Sequence, residues 1–171
     1  EGDGLRKEGG DDMSDFLSKV TTKSISVPES SFRVSEAPAS QMGLVVDISS
    51  FEGEPERNEA DSEVRMRIDL TVRAKLVNSE DENDVRLDSQ VLVSLVVSTE
   101  GGNDPTETKR ALKRNGFWVA YSHARTYLSI LAGMSPNKNL MLPDVDPDAL
   151  LEALDDANPK EADDTGGRMD D

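Results

Sequence analysis

The run Val64-Arg-Met-Arg-Ile-Asp-Leu-Thr-Val-Arg-Ala-Lys-Leu76 alternates apolar and polar residues without a break. Only an extended backbone sends successive side chains to opposite faces, so this run predicts a strand with one buried and one wet face. A second run, Val85 to Val97, places Val85, Leu87, Val91, Val93, Leu95 and Val97 on one face. Leu92 and Val96 fall on the other, which predicts a strand covered on both sides for part of its length. The segment Asn78-Ser-Glu-Asp-Glu-Asn-Asp84 between them is turn-like and strongly acidic. It predicts a simple antiparallel hairpin.

Two weaker strands precede this pair. Leu44 to Phe51 has Leu44, Val46 and Ile48 on one face, and Val20 to Pro28 has Ile25 and Val27 inward. Pro28 fits at a strand end, where its missing N–H does least harm. Glu29 to Gly43 reads as an irregular loop bearing Phe32, Val34 and Met42, and Glu52 to Ser62 as a polar connection. The pattern then becomes helical. Asp104-Pro-Thr-Glu107 combines an N-cap, a first-turn proline and a capping-box glutamate. That helix is expected to end at Asn115-Gly116. Phe117, Tyr121, Ala124, Leu128 and Leu131 mark one stripe of a second helix, closed by Gly133 and Pro136. Asp146-Pro-Asp148 opens a third, carrying Ala149, Leu150, Ala153 and Leu154. Strands first and helices after is the order of an α+β fold.

The chain has 171 residues, enough for one domain with tails. Charge divides it. Residues 1–13 carry net −3 and residues 155–171 net −5, out of −16 for the whole. Both ends are poor in large apolar groups and cannot offset their ordering entropy. The expected organisation is a disordered acidic extension over 1–17, a folded domain over 18–154 and a disordered acidic tail over 155–171. Met13-Ser-Asp-Phe16 reads as a native start.

The net charge argues against nucleic acid and against anionic membrane surfaces, both of which require clustered Lys and Arg. No apolar run approaches a transmembrane span and no signal-peptide segment is present, so the expected location is the cytoplasm, without membrane insertion. The chain has no Cys and one His, His123. Thiolate sites are excluded, and one imidazole gives no basis for a catalytic triad or a two-His metal site. Asp144 to Asp155 copies the oxygen spacing of a calcium loop. However, Ala149 stands where that loop needs Gly, and Asp155 where it needs a bidentate Glu. No enzyme, cofactor or metal is expected. The Arg65, Arg67, Arg73 and Lys75 ladder reads as a wet strand face or as a surface meeting an acidic neighbour.

The most distinctive letters are Tyr121-Ser-His-Ala-Arg125, then Leu140-Met-Leu-Pro143, Val145 and Asp148-Ala-Leu150. They resemble the bacterial export chaperone family SecB. In that family the region runs Phe-Pro-Tyr-Ala-Arg, an apolar helix, then Leu-x-Leu-(Ala)-Pro-(Val/Ile)-Asn-Phe-Asp-Ala-Leu. Ser122 replaces its proline, His123 its tyrosine, and the connector proline falls one place early. The resemblance covers residues 18 to 154. It implies a four-stranded antiparallel sheet with helices on one side, assembled as a homodimer or homotetramer. It further implies an ATP-independent holdase for unfolded or nascent chains, serving export through a translocase motor or protecting an antitoxin. The acidic ending Ala162 to Asp171 departs from the basic and apolar tail that docks the family to the motor. A non-chaperone oligomeric adaptor is the rival reading.

Ala124, Arg125, Asp148, Ala149 and Leu150 are the family-motif residues with expected structural roles. The candidate client-binding residues are Phe32, Val34 and Met42 in the long loop, Trp118, Tyr127 and Met134 off the main helix stripe, and Leu140, Met141 and Leu142 in the connector. Ile130 shares the off-stripe position. Two readings compete for these residues: a small domain buries them, or they form an exposed apolar surface on an acidic body, which marks a binding site. Met adapts to varied partners.

Overall fold

The computed structural model describes residues 19–35, 41–60, 62–100, 104–135 and 140–157. The alternating run lies in β4 (Glu63–Asn78), which pairs antiparallel with β5 (Asp81–Glu100) across the acidic turn. Their flanks are β1 (Val20–Val34) on β5 and β2 (Met42–Glu52) on β4, giving the order β1-β5-β4-β2. A two-residue β3 (Glu56–Arg57) also pairs with β4. It continues β2 after a break. Glu52 faces Ile68 and Glu56 faces Arg65, so Gly53-Glu54-Pro55 opposes only Met66 and Arg67, while the Gly53 N–H still reaches the Arg67 carbonyl at 2.9 Å. One extra residue and a proline interrupt the ladder without ending it. The sheet therefore has the four expected strands, the outermost split into two.

Two stretches expected as irregular connections contain strand. The expected loop of 29–43 is strand as far as Val34: β1 passes Pro28 through a bulge in which Val27 and Pro28 oppose Val93, and resumes at Glu29. An edge strand at a bulge is where proline is tolerated. The polar connection of 52–62 holds β3. The expected disordered tail of 155–171 is corrected at its start: α2 runs to Ala157, and Asp155 pairs with Lys113. Residues 1–18, 36–40 and 158–171 lie outside the described residues.

Helix α1 (Pro105–Gly133) is continuous through Asn115-Gly116, where the sequence predicted an end. The reason is packing. Leu112, Gly116, Ala120, Ala124, Leu128 and Ala132 are all buried and recur every four residues. Such a row is a packing ridge, and small side chains let it approach the sheet closely. A Cβ on Gly116 would lie 2.2 Å from Ile68 Cδ1, so any larger residue must push this methyl aside where the helix crosses β4 and β5. Burial outweighs the roughly 1 kcal/mol that glycine costs inside a helix. Asp104 caps α1, its Oδ1 accepting the Thr106 N–H at 2.8 Å and the Glu107 N–H at 3.3 Å.

Met66, Ile68, Leu70, Val72 and Ala74 of β4 and Leu87, Val91, Val93, Leu95 and Val97 of β5 meet α1 in one core. Both helices cover this face. On the other face Leu92 and Val96 are half-buried among polar side chains, and no described element lies over them. The expected second cover is absent among the described residues. The arginine ladder there is paired largely within the sheet: Arg67 with Asp69 at 2.9 Å, Arg73 with Asp88 at 2.7 Å, Arg65 with Glu63 at 3.2 Å.

Helix α2 (Pro147–Ala157) buries Leu150, Leu151 and Leu154 against α1 and β2. Asp146 caps it, accepting the backbone N–H groups of Asp148 (2.9 Å) and Ala149 (3.0 Å). The segment that imitates a calcium loop is thus a capped helix. Among the described residues no group of three or more acidic, His or Cys side chains is placed to hold a metal ion. No described helix is long and apolar enough to cross a membrane.

Candidate client-binding surfaces

The residues of the family motif join α1 to the connector. The Tyr121 hydroxyl donates to the Pro143 carbonyl at 2.9 Å, and Arg125 Nε to the Leu142 carbonyl at 2.8 Å. Arg125 also pairs with Asp144. These bonds satisfy carbonyls of a segment that has no ladder of its own. Ala124 and Leu150 are buried in the core, Ala149 is exposed, and Asp148 binds Arg114 at 2.6 and 3.0 Å.

The pinned connector divides the nine candidate client-binding residues. Leu140 and Leu142 point inward and are core residues, 3% and 1% exposed. Phe32, Val34 and Tyr127 pack half-buried against the same core, with the Tyr127 hydroxyl 3.1 Å from Ser30 Oγ. Met42 is half-exposed at the start of β2. Trp118, Met134 and Met141 are exposed, at 44%, 73% and 65%, together with Ile130 at 59%. The nine do not form one groove.

The exposed set has a simple geometric origin. A row displaced by two residues from the buried ridge is turned by about 200° and faces away from the sheet. That row is Trp118, Ser122, Thr126, Ile130 and Met134. Met141 stands beside it, and a shallow hollow of about 460 Å³ lies between Thr126, Ile130 and Met141. These are large apolar groups in water on an otherwise highly charged chain.

A second surface was not foreseen from the sequence, because its parts come from three elements far apart in the chain. A groove of about 770 Å³ runs between the first turns of α1, helix α2 and the bend before β3. Pro55, Val64, Pro105 and Leu151 give it an apolar lining, and Arg57, Lys109, Arg110 and Lys113 give it cations. Lys113 closes one end. Its Nζ donates to Glu52 at 2.8 Å and to Asp155, joining β2, α1 and α2. Burial works against this charge, but the hydrogen bonds to Asp155 and Glu52 outweigh it and hold the ammonium above its ordinary pKa. Beyond Lys113 a second hollow of about 580 Å³ is lined by Phe51, Phe117 and Leu154.

Acid weakens this framework. Hydrogen bonds from Arg114, Arg73 and Arg86 hold Asp148, Asp88 and Asp84 below the usual carboxylate range. A carboxyl whose folded pKa is depressed stabilises the fold above its unfolded value of about 3.9, and that contribution is lost as pH falls through the folded value. The melting temperature is therefore expected to hold steady from neutral pH to about 5 and to fall below about 4. Each exposed pair contributes little alone. A melting temperature unchanged down to pH 3 would contradict this account.

No protein-family model matches the chain, and no curated protein matches it by sequence. Solved structures do. The SecB-like chaperone Rv1957 of Mycobacterium tuberculosis, in complex with a ChAD peptide from the Rv1956 HigA1 antitoxin, matches with a TM-score of 0.52 and 19% identity. The match covers 74% of this chain and 91% of that one. A protein of unknown function from Streptococcus agalactiae matches with a TM-score of 0.45 and 12% identity, over 73% of this chain and 97% of the other. The class defined by the fold is thus an α+β chain with an antiparallel sheet and helices on one face. In particular, the fold is the one found in the SecB-like chaperone.

Proposed function

We propose that this protein is a holdase chaperone. It binds unfolded or nascent polypeptide without ATP and releases it to folding or to a partner. The observation that carries this reading is the outward row of α1, with Trp118, Ile130, Met134 and the adjacent Met141 exposed on a chain of net charge −16. Exposed apolar surface on a soluble-type body binds something apolar, and flexible Met side chains accept many shapes. The fold shared with a SecB-like chaperone supports the same reading. A holdase subtracts the unfolded population from aggregation by mass action, which requires no catalytic residue. The chain is proposed to be non-enzymatic.

A dedicated client such as an antitoxin is a second reading within this class, favoured by the antitoxin peptide in the Rv1957 complex. Docking to an export motor has no comparable support. The outward row also suits self-association, and a homodimer or homotetramer is part of the proposal.

The test is aggregation of a chemically unfolded model protein, followed by turbidity without nucleotide. Suppression at about one assembly per client is expected, as mass action requires when binding is tight. Light scattering in moderate and high salt is expected to give a dimer or tetramer. Failure to suppress aggregation in either salt would favour the oligomeric adaptor, and a monomer in both would remove the assembly.

A further inference from the structure

We infer that the groove between α1, α2 and the β3 bend selects extended client segments carrying a carboxylate next to an apolar side chain. This rests on the holdase reading and specifies which segments are held most tightly.

Among the described residues most cations have close carboxylate partners, Lys19, Arg33, Arg57, Lys75 and Arg110 being the exceptions. Among the described residues, Arg57 and Arg110 form no ion pair, and both are exposed at this groove. Lys109, between them, binds Glu54 at 2.9 and 3.0 Å. The Glu54 side chain is 84% exposed and hangs from the bulged segment Gly53-Glu54-Pro55. It holds Lys109 with the two-oxygen contact that a carboxylate of a bound peptide would make. Glu54 is thus an internal competitor, held on a segment with few ladder bonds.

The remaining carboxylates do not cancel this site. Asp155 is engaged by Lys113, and among the described residues Glu152 is the one acid besides Glu54 and Asp155 that lines the groove. With Glu54 displaced, Lys113 stays neutralised by Asp155 and Glu52, while Arg57, Lys109 and Arg110 face Glu152. The first turn of α1 adds its positive end, partly answered by Asp104. Pro55, Val64 and Leu151 provide apolar contacts for the neighbouring side chain of the same segment. The global charge of −16 opposes an acidic ligand, but screening confines that repulsion to about 8 Å at physiological salt. Within that range the groove's own cations are the nearer charges.

The experiment uses the full chain and two fluorescent peptides of equal length, Leu-Glu-Ser repeats and Leu-Lys-Ser repeats, compared by anisotropy at physiological salt. The acidic peptide is expected to bind more tightly. Arg57→Gln with Arg110→Gln is expected to weaken acidic-peptide binding about fivefold and erase the preference, as loss of two part-exposed ion pairs would. Neither side chain forms an ion pair, and Arg110 acts on Asp148 only at a distance while Arg114 makes the direct bonds, so the melting temperature is expected to change little. Glu54→Gln is expected to tighten the acidic peptide about twofold to fivefold and to leave a Leu-Gln-Ser peptide unaffected. Equal or tighter binding of the basic peptide, a preference that survives the double arginine variant, or no binding of either peptide would overturn the inference. If aggregation is still suppressed in those cases, the holdase reading stands and only the selectivity falls. If suppression is absent as well, the holdase reading itself has failed.

Discussion

Replacing Gly116 by valine is expected to lower the melting temperature by roughly 10 °C. The estimate combines an overpacking cost of about 3 kcal/mol with about 2 to 4 °C per kcal/mol for a domain of this size. A Cβ at this position would lie 2.2 Å from Ile68 Cδ1 and 3.5 Å from Val97 Cγ2, so the fully buried Ile68 side chain must shift to admit it. Alanine at the same site gains about 1 kcal/mol of helix propensity and meets the same methyl, so its net loss is smaller. Trimming the neighbour discriminates the mechanism. Gly116→Val combined with Ile68→Val is expected to recover part of the loss, because the two sites share one volume and cannot be additive. Strict additivity in this thermal-denaturation cycle would show that the helix is not seated on the sheet at this point.

The second large effect concerns the outward row. A variant carrying Trp118→Gln, Ile130→Ser, Met134→Gln and Met141→Gln is expected to lose aggregation suppression by more than about tenfold while melting near the wild type, since substitutions at exposed positions usually cost little. Two comparisons make the result specific. Leu128→Ala is expected to cost about 2 to 5 kcal/mol, because a fully buried side chain leaves a cavity. Phe32→Ser is expected to cost stability too, because Phe32 packs half-buried against the core and does not lie in an open loop. Light scattering on the fourfold variant shows whether the same row also holds copies together. Undiminished suppression by that variant would remove the row as the client surface.

The strands β4 and β5 could be read directly, because alternation is a local pattern and each residue declares its own face. The starts of α1 and α2 could be read for the same reason: an aspartate, a proline and a short acidic side chain act within one turn. What could not be read depends on neighbours distant in the chain. Gly116 looks like a helix end until Ile68 is placed opposite it. Pro28 looks like a strand end until the bulge against Val93 is seen. Exposure was equally hidden. Met141 and Leu142 are adjacent and similarly apolar, yet one lies in water and the other in the core. The hydrogen bonds of Arg125 and Tyr121 to the connector hold that alternation, and the letters alone do not reveal it. The groove was out of reach altogether, since Arg57, Lys109 and Leu151 have no mutual signal in the sequence.

The attachment of α2 has a consequence for how the molecule yields. This helix buries three leucines, and its ties to the remainder include the Lys113–Asp155 and Arg114–Asp148 pairs. It leans on α1 and β2, whereas β4 and β5 are joined by a long antiparallel ladder over a shared core. Opening free energies within one fold range from near zero to the global value, and the smallest belong to elements with few apolar contacts. The groove therefore has one firm wall and one detachable wall. Amide protons of 150–157 are expected to exchange with solvent well before those of 66–76. A bulky segment could enter by displacing α2 while the sheet stays folded, so the protein would adjust its aperture to its cargo by local melting of eleven residues rather than by any motion of the body.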